Sequence, residues 1–267
     1  MSGRGTGRGR GGSSRGRGDG SPRTRVVVGL HPVRELLRAG APVHGVAVAA
    51  ERDPDPVVDE IVALAGRARV PVETVPRAQL DERADGSVHQ GVVATAPPLA
   101  TVDVDALLAR AAARGEAPLL VALDQITDPH NLGAIARTAE AVGAHGVILP
   151  GRRAAPITPT AEKAAAGAFA HLPVAVVTNL VRTLGQLHER GAWSLGLDGG
   201  SGVDLASHPL VAEPCVLVVG AEGGGLARLT RERCDALVAL PMRGQVGSLN
   251  ASVAAGVALY TVLAARG

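Results

Sequence analysis

Aromatic side chains are almost missing from this chain: one Trp, one Tyr and one Phe among 267 residues. Hydrophobic residues nevertheless make up 46%, so a sizeable core is expected, assembled from Ala, Val and Leu. Lysine is nearly absent as well, with Lys163 alone, and the bias toward Ala, Arg and Gly fits a GC-rich genome more than a function. Only two cysteines occur, Cys215 and Cys234, without CxxC spacing. That excludes a disulfide framework and a cysteine metal site, and predicts a reduced thiol pair and no bound metal. No apolar run reaches the length of a membrane span, and the first residues lack the apolar centre of a signal peptide. The expectation is a soluble cytoplasmic protein with no membrane partner.

The formal net charge of +2 hides an asymmetry. Residues 1–25 hold seven arginines against Asp19 alone, a balance of +6, and the remainder therefore carries −4. This Gly/Arg/Ser stretch has no apolar periodicity and cannot bury enough surface to offset its conformational entropy, which predicts a disordered tail. Its Arg-Gly repeats suit loose contact with RNA phosphates; a solubilising extension without a specific role is the alternative.

Residues 26–98 read as a small α/β domain, with strands at 26–28, 46–48, 70–75 and 91–94 and helices at 32–37 and 57–68. Residues 99–116 read as a connector, partly helical. From 117 to 267 strands and helices alternate: strands at 119–123, 146–149, 174–177, 193–197, 215–219 and 237–240, helices at 132–142, 160–167, 180–190, 226–233 and 249–263. Such alternation implies a parallel sheet with helices on both faces.

Three segments in this last part carry the chemistry. The run Cys215-Val216-Leu217-Val218-Val219 reads as a buried strand and opens into the glycine turn Gly220-Ala221-Glu222-Gly223-Gly224-Gly225. Glycines at the carboxyl end of a strand let backbone N–H groups approach a ligand, and open α/β sheets bind their ligands there. Leu240-Pro241-Met242 and Ser248-Leu249-Asn250-Ala251-Ser252 follow, the latter opening an apolar helix at the end where N–H groups are unpaired. Upstream stands Asp124-Gln125-Ile126-Thr127-Asp128-Pro129-His130-Asn131-Leu132-Gly133-Ala134-Ile135-Ala136-Arg137.

In order and spacing the three segments resemble the motifs of the SpoU/TrmH family, knotted (SPOUT) RNA ribose 2′-O-methyltransferases that use S-adenosylmethionine. The resemblance spans residue 119 to the C-terminus. The phrases Gly29-Leu30-His31-Pro32-Val33-Arg34-Glu35 and His89-Gln90-Gly91-Val92 further resemble the accessory RNA substrate-binding domain of such enzymes, which is similar to L30e-type ribosomal proteins. His31 and His89 are then candidate RNA contacts, although a lone histidine is more often a satisfied structural residue.

What the resemblance implies is an α/β-knot methyltransferase domain that binds S-adenosylmethionine at Gly220, Leu240 and Leu249. For the two leucines, ordinary core packing is the alternative. Asn131, Arg137, Glu222, Ser248 and Asn250 match the family's catalytic positions, with Asn131 organising the site and Arg137 contacting the target nucleotide. A free arginine is a poor base, so proton removal there needs help. Asn131 could instead cap its helix, and of Ser248 and Asn250 one could cap while the other meets substrate. Asp128 reads as a turn residue that sets the start of the helix after Pro129. Glu222 could accept hydrogen bonds from loop N–H groups or position Arg137. The family works as a homodimer around its C-terminal helix, and residues 249–263 are apolar on nearly every face.

The implied substrate is ribosomal RNA, and the motifs most resemble the enzyme that methylates a guanosine in 23S rRNA. A tRNA guanosine methylase and an rRNA adenosine methylase conferring antibiotic resistance stay open. A nucleotide-cofactor oxidoreductase is disfavoured, because the glycine turn lacks GxGxxG spacing and no acidic residue follows at the usual strand end. A non-catalytic RNA-binding protein is disfavoured by the complete set of polar motif residues.

Overall fold

The computed structural model of the protein describes residues 24–152 and 154–267. The disorder expected for the arginine-glycine tail lies, up to Arg23, outside the described residues.

The first lobe is a four-stranded sheet of β1 (Arg25–Val28), β2 (Gly45–Ala49), β3 (Val72–Val75) and β4 (Val92–Ala96), in the order β1-β4-β2-β3. Only β2 and β3 run parallel. Arg25, read as part of the tail, pairs with Ala96 as the first residue of β1. On one face α1 (Leu30–Arg38) and α2 (Pro56–Arg67) bury Val33, Leu36, Val58 and Ile61 against Val27, Val46 and Val92. Asp55 starts α2 by accepting from the Val57 N–H at 2.8 Å, with Pro56 in the first turn where its missing N–H costs nothing. The other face is covered by α3 (Arg77–Arg83), a helix unforeseen in the sequence because Leu80 is its one buried anchor.

The connector is built into the second lobe. It holds β5 (Thr101–Val102) and α4 (Val104–Arg114), which starts at the Asp103 cap and ends at Gly115 in left-handed geometry. Then follow β6 (Leu119–Asp124), α5 (Pro129–Ala141), β7 (Gly146–Pro150), α6 (Pro159–Ala165), β8 (Val174–Val177), α7 (Leu180–Glu189), β9 (Trp193–Leu197), β10 (Cys215–Gly220), α8 (Arg228–Arg233), β11 (Ala236–Val238) and α9 (Ala251–Arg266). The sheet order is β11-β9-β10-β6-β7-β8-β5, with every neighbouring pair parallel. Both faces are covered, as a parallel sheet requires. α5 and α9 bury Leu132, Ile135, Leu259 and Val262 on one side, and α4 and α7 bury Leu107, Leu180, Leu184 and Leu187 on the other.

Two features position the site. β6 and β10 are adjacent, with Gly220 in register with Asp124 at their carboxyl ends. β11 lies at the sheet edge beyond β9, yet α9 returns to pack on α5 and β10. That return carries the start of α9 to the start of α5.

The lobes meet through α6 and the turn behind it. Arg25 of β1 pairs with the buried Glu162 of α6, whose carboxyl is pushed up by burial and partly restored by the arginine. His171 pairs with Glu35 at 3.2 Å. Gly167, at φ 99°, lies so close to α1 that a Cβ there would stand 2.5 Å from that of Glu35.

Candidate active site

Asp128 begins α5, accepting from the His130 N–H at 2.9 Å, with Pro129 next. The helix therefore starts three residues earlier than expected, and Asn131 is released from capping. Its buried side chain donates to Glu222 Oε1 at 3.2 Å and accepts from Asn250 Nδ2 at 3.0 Å. Asn250 also donates to Glu222, and the Ala251 N–H reaches the same carboxylate oxygen at 3.3 Å. Asn250 is at once the cap of α9, its Oδ1 accepting from the N–H groups of Ser252 at 2.9 Å and Val253 at 3.2 Å. One side chain from each of the three sequence segments thus meets in a single polar cluster, with Glu222 as acceptor for two amides and a helix N-terminus.

Among the described residues the Glu222 carboxylate accepts nothing from its own glycine turn, where only its backbone carbonyl takes the Gly224 N–H at 2.8 Å, and it makes no hydrogen bond or ion pair with Arg137. The turn is held instead by Asp124, buried at the end of β6, which accepts from the Ala227 N–H at 2.7 Å. Gly220 is required by the turn itself: a Cβ there would stand 2.3 Å from the carbonyl carbon of Gly225 and 2.5 Å from the Leu226 nitrogen. The sequence suggested that this glycine admits a ligand; the geometry shows it first admits the loop folding back on its strand.

Beside the cluster opens a cavity of about 290 Å³ whose wall includes Gly220, Glu222, Leu240, Ser248, Leu249 and Asp198. Leu249 is exposed rather than packed in the core, whereas Leu240 is half-buried and packs against the core while lining the cavity. A mostly apolar wall with backbone groups of the 220–225 turn and a few carboxylates is suited to an adenosine bearing a cationic methionine tail. Asp198 was not singled out from the sequence, although it stands immediately after β9, at the carboxyl end of a strand next to β10. That position was the available signal. Its carboxylate pairs with Arg231 at 2.7 Å and accepts from the Gly200 N–H at 2.9 Å.

Arg137 is not brought into this cluster. It lies exposed on α5 and has no hydrogen bond or ion pair among the described residues. Six positions along a 3.6-residue helix place it about 120° around the axis from Asn131 and about 9 Å further on. His89, by contrast, is buried and doubly bonded, while His31 is exposed. Cys215 and Cys234 are free thiols, and burial, with Asp235 and Asp124 nearby, pushes Cys234 up to about 12, far from reactivity. Among the described residues no cluster of His, Cys, Asp or Glu could hold a metal ion, and no helix is long and apolar enough to cross a membrane.

A parallel sheet with a glycine-walled cavity at its strand ends, tied to an Asn-Glu-Asn cluster, belongs to the class of α/β folds that hold a nucleotide-like ligand at their strand ends. Residues 118–260 match the SpoU rRNA Methylase family, and residues 26–102 match the family described as RNA 2′-O ribose methyltransferase substrate binding. The chain belongs to the SpoU family. It is 46% identical over 243 residues to a protein of Mycolicibacterium smegmatis named "Uncharacterized tRNA/rRNA methyltransferase", covering 91% of this chain and 77% of that one. It is 42% identical to a Bacillus subtilis protein carrying the name "Putative TrmH family tRNA/rRNA methyltransferase YacO", over 90% of this chain and 95% of that one. Among solved structures, the SpoU methyltransferase AviRb of Streptomyces viridochromogenes with bound S-adenosylmethionine has a TM-score of 0.75 at 26% identity, covering 91% and 90% of the two chains. An S-adenosylmethionine-bound rRNA methyltransferase of Sinorhizobium meliloti has a TM-score of 0.72 at 26% identity, covering 90% and 87%.

Proposed function

We propose that the protein methylates the ribose 2′-hydroxyl of a guanosine in 23S ribosomal RNA, in the cytoplasm. The observation that carries the placement of the chemistry is the meeting of Asn131, Glu222 and Asn250 at the edge of the cavity. Ribosomal RNA is favoured by the family match and by the rRNA methyltransferase neighbour. S-adenosylmethionine, when bound, supplies an electrophilic methyl group on a sulfonium.

The residues do the rest. Gly220, Leu240 and Leu249 would enclose the cofactor, and the Asn-Glu-Asn cluster fixes the starts of α5 and α9 beside that cavity, the kind of positioning an in-line methyl transfer would need. Ser248, exposed in the cavity wall, is free to meet the substrate. Arg137, exposed and unpaired among the described residues, reaches the target nucleotide rather than the cofactor. Mapping 2′-O-methylation in ribosomal and transfer RNA of a deletion strain is expected to show one guanosine of 23S rRNA unmodified. A missing methyl group in tRNA instead would reject the ribosomal assignment, and a complete map would reject the activity on both.

The working unit is proposed to be a homodimer. α9 buries Ala255, Ala258, Leu259 and Val262 on its own lobe but leaves Val253, Val257, Tyr260 and Leu263 exposed, 40–54% each. An apolar stripe of this kind calls for a cover, and a second copy supplies the same stripe. Light scattering at micromolar concentration should give twice the chain mass; a fully active monomer would rule the dimer out.

A further inference from the structure

Among the described residues, five other than glycine hold a left-handed backbone: Arg69, Asp85, Gln90, Gln125 and Ala166. Three of these close helices, since Arg69 and Asp85 stand just past the C-caps Ala68 of α2 and Ala84 of α3, and Ala166 caps α6. There the conformation helps satisfy the last helical carbonyls. Gln125 follows β6, next to the active site. Gln90 ends no helix and lies in the other lobe, and such unexplained strain concentrates at ligand sites.

The structure around Gln90 forces this geometry. The imidazole of His89 is buried; its Nδ1 accepts from the Gly91 N–H at 3.0 Å, so its Nε2 carries the proton and donates to Asp81 at 2.9 Å. The turn is pinned on both sides, by Val92 N–H to the His89 carbonyl at 3.0 Å and Gly29 N–H to the Val92 carbonyl at 3.1 Å. Gln90 alone is left exposed, and its amide makes no hydrogen bond among the described residues. A Cβ on Gly29 would stand 3.3 Å from Gln90 Oε1, so that amide lies against the turn that leads into His31.

His31 is an exposed ring in a lobe that has no Phe, Trp or Tyr between residues 24 and 102. The lobe's other exposed ring, His44, sits at the opposite end of β4, beside Thr95. Gln90 also lines a hollow with Glu51, Asp53, Asp55, Arg52 and Arg77. Glu51 there already accepts from the Arg77 N–H at 3.2 Å and Asp55 from the Val57 N–H at 2.8 Å, and three carboxylates against two guanidiniums leave the lining one charge negative, which suits the amino edge of a base better than a phosphate. His31 stands outside the lining of that hollow, at the start of α1, and its carbonyl would be 3.4 Å from a Cβ on Gly167, just past α6. In turn α6 packs so tightly on α5 that a Cβ on Gly133 would stand 2.4 Å from the Ala161 carbonyl oxygen.

We propose that His31 and Gln90 form a base-reading site, His31 stacking on and Gln90 hydrogen-bonding an unpaired, amino-bearing nucleobase near the ribose to be methylated. This mode suits RNA, whose splayed bases are read by stacking and by amide contacts to their edges. The proposal rests on the RNA substrate argued above.

The test uses full-length protein with unmethylated 23S rRNA and tRNA transcripts, measuring binding at several salt concentrations and methyl transfer separately. Gln90→Gly suits the left-handed backbone and should melt at or above the wild-type temperature. Gln90→Gly and His31→Ala are each expected to weaken binding about tenfold, within the range for a lost base contact. KM for RNA should rise in step, with kcat and S-adenosylmethionine affinity unchanged, and His31→Phe should restore binding. The salt slope should also stay as in the wild type, because base contacts release no counterions. Wild-type affinity in both variants, a reduced slope, or no rescue by phenylalanine would overturn the site. Expected binding losses in a protein that methylates neither RNA would overturn the proposed function and leave the site standing; unchanged binding with active methylation would do the reverse.

Discussion

Arg137→Ala is expected to lose methyl transfer by a factor on the order of a hundred or more, the usual scale for a positioned charged donor at a reacting centre. S-adenosylmethionine affinity and melting temperature should not change. The side chain is exposed, unpaired among the described residues and outside the cavity, so its removal strands no partner and opens no void. Arg137→Lys should recover little, because an ammonium cannot reproduce the planar, bidentate hold of a guanidinium on phosphate or ribose oxygens. The measurement is single-turnover methylation of the cognate RNA beside calorimetric titration of the cofactor. Turnover near wild type in Arg137→Ala would remove this residue from the reaction.

Gly220→Ala should be nearly as damaging by a different route. Its Cβ would stand 2.3 Å from the carbonyl carbon and 2.4 Å from the carbonyl oxygen of Gly225. These are backbone atoms, which cannot swing aside, so the 220–225 turn must shift and the cavity wall with it. Overpacking of this kind costs about 1–3 kcal/mol or more, and the melting temperature should fall along with cofactor affinity. Gly224→Ala is the control: nothing lies within 4 Å of its position and its backbone is not left-handed. It should bind as the wild type does. If Gly220→Ala also binds S-adenosylmethionine with unaltered affinity, the turn does not shape the cofactor cavity.

The second lobe was legible because its chemistry interrupts long apolar runs. Gly220 breaks the strand 215–219, and Ser248 and Asn250 stand before an apolar helix, so the polar positions announce themselves at strand and helix ends. What each does there was not legible. Asn250 both caps α9 and donates to Asn131 from 119 residues away, a pairing no local pattern encodes. Asn131 and Arg137 look like partners on one helix, but six residues of 3.6-fold periodicity separate their faces. α3 was missed because Leu80 alone carries its burial, and β5 because two residues show no alternation. Asp198 was passed over although it opens a second glycine-rich turn, Gly199-Gly200-Ser201-Gly202, directly after strand 193–197, because that turn lies outside the three segments whose order and spacing carried the reading.

The wide sequence separation inside the polar cluster has a consequence for how the protein comes to be active. Asn131 and Glu222 are 91 residues apart, and Asn131 and Asn250 are 119. Contacts this distant form only after the chain has closed large loops, and parallel sheets are slow folders for the same reason. Helices α5 and α6, joined by local contacts, can mature first; the cluster assembles only when β10 and α9 have docked. Ligand affinity is therefore a late reporter of folding, appearing after secondary structure is complete. A ligand that binds only this finished arrangement adds RT ln(1 + [L]/Kd) to its stability, about 2.7 kcal/mol at a hundredfold excess over Kd. Bound cofactor would then add to the stability of the folded enzyme as well as serve its turnover.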